Sequence, residues 1–280
     1  MPSAWPDGVA AFTTILEGDT HRQIEAIWYY LSLGTSAADP PGVRSESTKI
    51  VVTDKAVTHR GRSRVAGFRG IAVGLPQELH YAFNAETGTL SAIWEGEFIQ
   101  VNWSGQGSGE FTPARSPIQL AQDVSFAALA DDNAPWPLLP VMTKESPVNP
   151  DPLYPKNVGY QFRGYQLDDV MTPTFLYSSG EVEIADRSEG AISNRQVKLR
   201  RVFQFHSSRD SVIYFRALVG DIQREGPQAY TLGRLRLLIP DVTTNLRSMP
   251  GDSGQKELLL RIQVPAGQST LEVQYELLKN

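Results

Sequence analysis

Glu95 and Glu97 stand two residues apart in Trp94-Glu95-Gly96-Glu97-Phe98, a spacing that suits paired acid–base catalysis. Side chains two apart on a β-strand share a face, which would set the carboxylates about 7 Å apart at Cβ. Carboxyl pairs at about that separation carry glycoside hydrolysis. If the preceding strand pairs with theirs in simple hairpin register, His80 falls on the same face, diagonal to Glu95, and adds a third acid–base group. That face lies opposite Trp94 and Phe98, so the alternation makes it the solvated side of a sheet. Surface charge is the expectation, and sugar chemistry through Glu95, Glu97 and His80 is the alternative.

Aromatic rings make a second set. Trp103, Tyr165 and Tyr177 are candidates for ligand contact, because flat aromatic faces stack on sugar rings. Trp103 is the best placed, beside the run Ser104-Gly105-Gln106-Gly107-Ser108-Gly109. Core or loop packing is the competing role for each ring. The spaced glycines lack the strand-to-helix context of a dinucleotide site and instead suit a tight loop. Asp123, Asp131, Asp132, Asp168 and Asp169 lack the spacing of a calcium loop, so no metal site is expected. Lys198, Arg200, Arg201, Arg234 and Arg236 read as solvated strand faces or ion-pair partners. The common hydrolase signatures Gly-x-Ser-x-Gly and His-Glu-x-x-His do not occur.

The composition narrows the field further. The absence of cysteine excludes disulfides, thiolate-bound zinc, iron–sulfur clusters and thiol nucleophiles. The net charge of −5 argues against a nucleic-acid partner. No apolar run is long enough to form a membrane-spanning helix. The first fifteen residues hold no Lys or Arg and no apolar stretch, so no export signal is expected within this sequence.

The local sequence pattern sets the secondary structure that carries these side chains. Ile24, Ile27, Trp28 and Leu31 form one apolar stripe, with Thr20 and Gln23 as a capping box and Gly34 as a stop. They predict a helix over 20–33. Residues 37–48 read as a linker, and 49–280 as a β-rich module. Within it, Leu79, Tyr81 and Phe83 alternate with polar residues, as do Leu90, Ala92 and Trp94, about a loop at Ala85–Gly88. The expected register pairs Phe83 with Leu90, Tyr81 with Ala92 and Leu79 with Trp94. Residues 102–157 read as a proline-rich excursion with a short strand or two. Strands resume at 160–167, 174–184, 197–205, 211–219, 229–239, 257–264 and 269–277, and Val264–Ser269 reads as a hairpin loop. The fold class is mainly β: a large two-sheet antiparallel β-sandwich of about ten or more strands, preceded by one short amphipathic helix.

Several segments carry a resemblance. Met1-Pro2, Trp5-Pro6-Asp7-Gly8 and the run from Gln23 to Gly34 look like the end of a cytochrome c domain. Arg69–Gly74, Trp94–Phe98, Gly159–Tyr165 and Pro173–Tyr177 resemble the β-rich module that follows it in large secreted c-type cytochromes of planctomycete-type bacteria. The resemblance implies that residues 1–36 are a remnant of the cytochrome's final helix and that Met1 is the axial haem ligand in a full-length parent. It implies haem c only in a region upstream, with no cofactor in this chain, because this sequence holds no cysteine for a Cys-x-x-Cys-His attachment. It further implies an upstream cytochrome c domain as partner and a periplasmic or extracellular location for the parent. The function expected is a non-catalytic accessory module, with polysaccharide or sugar as the candidate ligand. A sugar-acting enzyme built on Glu95 and Glu97, or an interdomain scaffold for electron transfer, are the alternatives.

Overall fold

The structure, a computed structural model, describes residues 47–103, 109–144, 147–193, 196–249 and 254–279. Met1, the remnant at 1–36 with its expected helix, and most of the 37–48 linker lie outside the described residues. Ser47 and Thr48, read as linker, already belong to the first strand.

Strands dominate from there on. The first seven are β1 (Ser47–Ile50), β2 (Val57–Ser63), β3 (Gly67–Gly74), β4 (Leu79–Asn84), β5 (Thr89–Glu95), β6 (Ile99–Asn102) and β7 (Glu110–Pro113). The proline-rich excursion, read as holding a short strand or two, holds three: β7 and the two-residue strands β8 (Ile118–Gln119) and β9 (Phe126–Ala127), followed by a 3-10 turn at Lys156–Val158. Next come β10 (Tyr160–Leu167), β11 (Pro173–Ser179), β12 (Val182–Ser193), β13 (Gln196–Ser207) and β14 (Ser211–Gly220). The remainder are β15 (Ile222–Arg224), β16 (Ala229–Leu232), β17 (Leu235–Leu238), β18 (Thr243–Ser248), β19 (Lys256–Val264) and β20 (Gly267–Leu277).

These strands pair antiparallel in four sheets rather than the two expected, in a sandwich-like arrangement. The orders are β1-β6-β7, β2-β3-β4-β5-β8, β18-β19-β14-β9 and β10-β11-β12-β13-β20-β17-β16-β15. The eight-stranded sheet turns one face inward. Val182, Ile184, Leu199, Phe203, Phe205, Leu271, Val273 and Tyr275 are buried there, while Glu183, Gln204 and His206 on the alternate face are exposed. The five-stranded sheet meets that inner face through Phe83 stacked on Phe175 at 3.8 Å. The four-stranded sheet meets it through Phe215 and Phe203, 5.0 Å apart, with Phe126 at 5.0 Å from both. Each such ring contributes about 1.5–3 kcal/mol of transfer free energy when fully buried. The opposite face of the five-stranded sheet packs a smaller core of Ala72, Ala82, Ala92 and Trp94 against Ile99, Val101 and Phe111 of the three-stranded sheet.

Local differences from the sequence reading have local causes. The Ala85–Gly88 loop forms as expected, with Gly88 at φ +67° and Tyr160 donating its hydroxyl to the Ala85 carbonyl at 2.8 Å. Residues 174–184 are two strands, because Gly180, at φ +60°, turns the chain between β11 and β12. Residues 229–239 likewise divide at Gly233 into β16 and β17. Val264–Ser269 is not a hairpin loop: β19 pairs with β14 and β18, whereas β20 pairs with β13 and β17. The chain crosses between sheets at that point.

Candidate functional site

The hairpin of β4 and β5 does not follow simple register, and this relocates His80. Phe83 pairs with Leu90, but Ala82 pairs with Ala92, so Ser91 is an extra residue in β5. Its hydroxyl is buried and donates to the Ala82 carbonyl at 3.1 Å. Beyond this bulge every partner slips by one, which exchanges the faces. His80 therefore opposes Trp94, with ring centroids 5.9 Å from Trp94 and 5.1 Å from Phe98. It lies in the smaller core and not on a face with Glu95 and Glu97, which corrects the expected cluster. Its Nδ1 accepts the Leu75 N–H at 3.1 Å and its Nε2 donates to the Gly96 carbonyl at 2.6 Å. That pattern fixes one neutral tautomer. Burial pushes the imidazole below its ordinary pKa, opposed by the Gly96 carbonyl and Glu78.

Glu95 ends β5 and is exposed, while Glu97 follows Gly96, whose φ of +90° breaks the strand. The two carboxylates do not share a strand, so the spacing deduced from one strand does not apply. Glu97 accepts a hydrogen bond from Lys49 and lies 3.6 Å from Arg115. The Lys49 hydrogen bond, with its charge, holds this carboxyl below the usual range.

Trp103, just after β6, is 45 % exposed. Its ring stands edge-on to His59 of β2, with centroids 5.9 Å apart, and His59 stands edge-on to Phe111 at 5.8 Å. His59 Nε2 donates to the Gly109 carbonyl at 2.8 Å. Burial lowers the pKa of this imidazole, opposed by that carbonyl. Gly109 has φ +61°, and a Cβ there would approach the Trp103 ring to 3.0 Å. Gly61 leaves room for the same segment, since a Cβ on it would meet the Gly109 carbonyl oxygen at 2.1 Å. Trp103 is thus propped from below while part of its ring faces solvent. The glycine-rich stretch 104–108 lies outside the described residues.

The two tyrosines have other roles. Tyr177 is buried in the main core, where no ligand reaches its face, and this corrects its candidacy. Its hydroxyl donates to Asp186 Oδ2 at 3.0 Å, and burial, reinforced by that carboxylate, raises its pKa well above the ordinary value. Asp186 also accepts Arg201 Nε at 2.9 Å and Nη2 at 2.6 Å, a bidentate pair sealed between sheets. The Arg201 guanidinium lies 4.6 Å from the Phe203 ring centroid. Tyr165 is half-buried, edge-on to Phe175 at 5.9 Å and beside Arg60.

Other charged side chains are mostly spent on one another. Arg200 bridges Glu189 and Glu272 at 2.7 Å each, and Arg236 lies 2.6 Å from Glu225. Lys198 pairs with Glu276 at 2.5 Å. Asp123 pairs with Arg216, and Asp132 accepts the Tyr214 hydroxyl at 2.7 Å. Among the described residues no cluster of three or more His, Asp or Glu side chains could hold a metal. A shallow depression of about 280 Å³ on the outer face of the eight-stranded sheet is lined by Arg163, Glu181, Glu183 and His206. Arg163 and Glu183 lie 3.7 Å apart there, and Arg209 takes Glu181 at 2.7 Å.

One group was missed from sequence. Arg60 and Arg62 lie two apart on β2, the edge of the five-stranded sheet, with Arg64 in the turn that follows and Arg69 on β3 beside it. All four are exposed. The signal was available, because no Asp or Glu occurs between Asp54 and Glu78 while Lys55 and these four arginines do.

A mainly β, antiparallel, layered protein with a half-exposed tryptophan beside an arginine-rich edge is what fold and geometry define. Compared with known proteins, the chain matches no protein-family model, and no curated protein matches it.

Proposed function

We propose that this chain is a non-catalytic accessory module that binds carbohydrate, attached in its parent to a c-type cytochrome domain and working in the periplasm or outside the cell. The observation that carries the binding role is Trp103: an indole propped edge-on by His59, with nearly half its surface open to solvent. A large, stiff ring with a polar N–H stacks on a sugar at small conformational cost. The placement of His80 in the interior and the ion pairing of Glu97 favour binding over hydrolysis. The cytochrome attachment rests on the resemblance of the residues before Gly34 and predicts an in-frame Cys-x-x-Cys-His upstream of Met1.

The binding role is tested by affinity electrophoresis in gels containing xylan, mannan, pectin, cellulose derivatives or sulfated glycans. Retardation by at least one, lost on Trp103→Ala with an unchanged melting temperature, is the expected result. Free migration through all of them would remove the binding role and leave a purely structural module.

A further inference from the structure

We infer that the ligand is an anionic polysaccharide, gripped by the exposed arginines of the β2–β3 hairpin together with the exposed rings of Phe68 and Trp103; this deepens the carbohydrate-binding reading and rests on it. Side chains two apart on a strand lie about 6.6–6.8 Å apart. Arg60 and Arg62 are spaced in this way on β2, and Arg64 in the turn that follows and Arg69 on β3 extend the cluster of exposed cations over the same hairpin, where an extended chain with repeating charges can meet several of them.

The surroundings support a binding surface. Among the described residues, Arg60, Arg64 and Arg69 form no salt bridge, and Arg62 has a single distant one, to Glu110 at 3.8 Å. This contrasts with Arg187, Arg200, Arg201, Arg216 and Arg247, each held by a carboxylate at 3.1 Å or less. Phe68 is 73 % exposed, with the Arg62 guanidinium 5.6 Å from its ring centroid. Glu110 pairs in register with Asn102, next to Trp103, so Arg62 reaches from Phe68 toward the strand pair that ends at Trp103. In a chain of net charge −5, a local field of opposite sign concentrates an anionic partner at this edge. Guanidinium groups bind carboxylate and sulfate oxygens through paired N–H donors, and ring faces accept the apolar side of a sugar. Charge and aromatic surface at one edge suit an anionic glycan better than a neutral one.

The experiment is affinity electrophoresis against a neutral dextran and the same dextran carboxymethylated or sulfated, for the wild type, R60Q/R62Q/R64Q and W103A. We expect stronger retardation by the charged polymers, weakening as salt rises. In the triple variant binding to these polymers falls about tenfold or more, as the loss of charge-assisted hydrogen bonds implies. If the triple variant does not fold, R64Q alone, whose side chain makes no ion pair among the described residues, serves with a smaller expected drop. Equal retardation by neutral and charged dextran, or unchanged binding by the arginine variants, overturns the anionic ligand but leaves a neutral carbohydrate role standing. Charged-polymer binding that survives W103A but not the triple variant sinks the Trp103 reading and keeps the arginine edge. Duplex DNA bound as tightly as the glycan would mark the edge as a general polyanion site and overturn the inference.

Discussion

Asp186 and Arg201 show how much a single pair can carry. Both side chains are 2 % exposed, and the carboxylate accepts two guanidinium bonds and one from Tyr177. A pair assembled this well roughly offsets its desolvation, but removing one partner leaves a buried charge uncompensated. Asp186→Ala is expected to cost about 3–5 kcal/mol in urea unfolding, whereas Asp186→Leu combined with Arg201→Met should cost far less. A loss under about 1 kcal/mol for the single variant would mean that water reaches Arg201 in the folded protein. Neither residue could be assigned this role from sequence. Arg201 sits in a run of three cations, Lys198, Arg200 and Arg201, and only strand alternation separates the buried one from its neighbours. Alternation also exposes why Arg200 faces solvent, paired with Glu189 and Glu272.

At the scale of elements, glycines and one bulge decide what faces what. Gly61 and Gly109 bring β2 and the approach to β7 together, with a Gly61 Cβ position only 2.1 Å from the Gly109 carbonyl oxygen. Gly61→Ala forces the two layers apart and is expected to destabilise by about 1–3 kcal/mol, as overpacking does. Because the same contact props Trp103, the variant should also shift the tryptophan emission, and unchanged stability and emission together would show that this packing is slack. Strand positions were legible where the apolar period is clean. The range read as 160–167 is β10, and 211–219 and 257–264 fall within one residue of β14 and β19 at each end. Faces were less legible. In Leu90-Ser91-Ala92, serine fits a strand as well as a bulge, so nothing local announces the slip that carries His80 inward. Trp103 could be singled out because it borders a glycine run, but its support comes from His59, more than forty residues back in the chain, which Gly109 at the end of that run holds in place.

At the scale of the molecule, stability is unevenly distributed. Among the described residues the three-stranded sheet is held by a core of eleven buried residues, several of them alanines, whereas the rings of Phe83, Phe126, Phe175, Phe203 and Phe215 tie the other sheets together. Regions with less buried apolar surface open first. Hydrogen exchange should therefore release the amides of β1, β6 and β7 well before those of β13, β14 and β20. Equal protection in both sets would show one cooperative unit instead. The crossing at Val264–Gly267 bears on how the protein is made. β20 alone joins β10–β13 to β15–β17, pairing with β13 through Lys198–Ser207 and with β17 through Leu235–Leu238. While the ribosome is still synthesising residues 267–277, both β13 and β17 present bare strand edges, the kind of surface on which nascent chains aggregate. The largest sheet cannot close in the order of its synthesis, because its two halves stay unjoined until β20 has emerged.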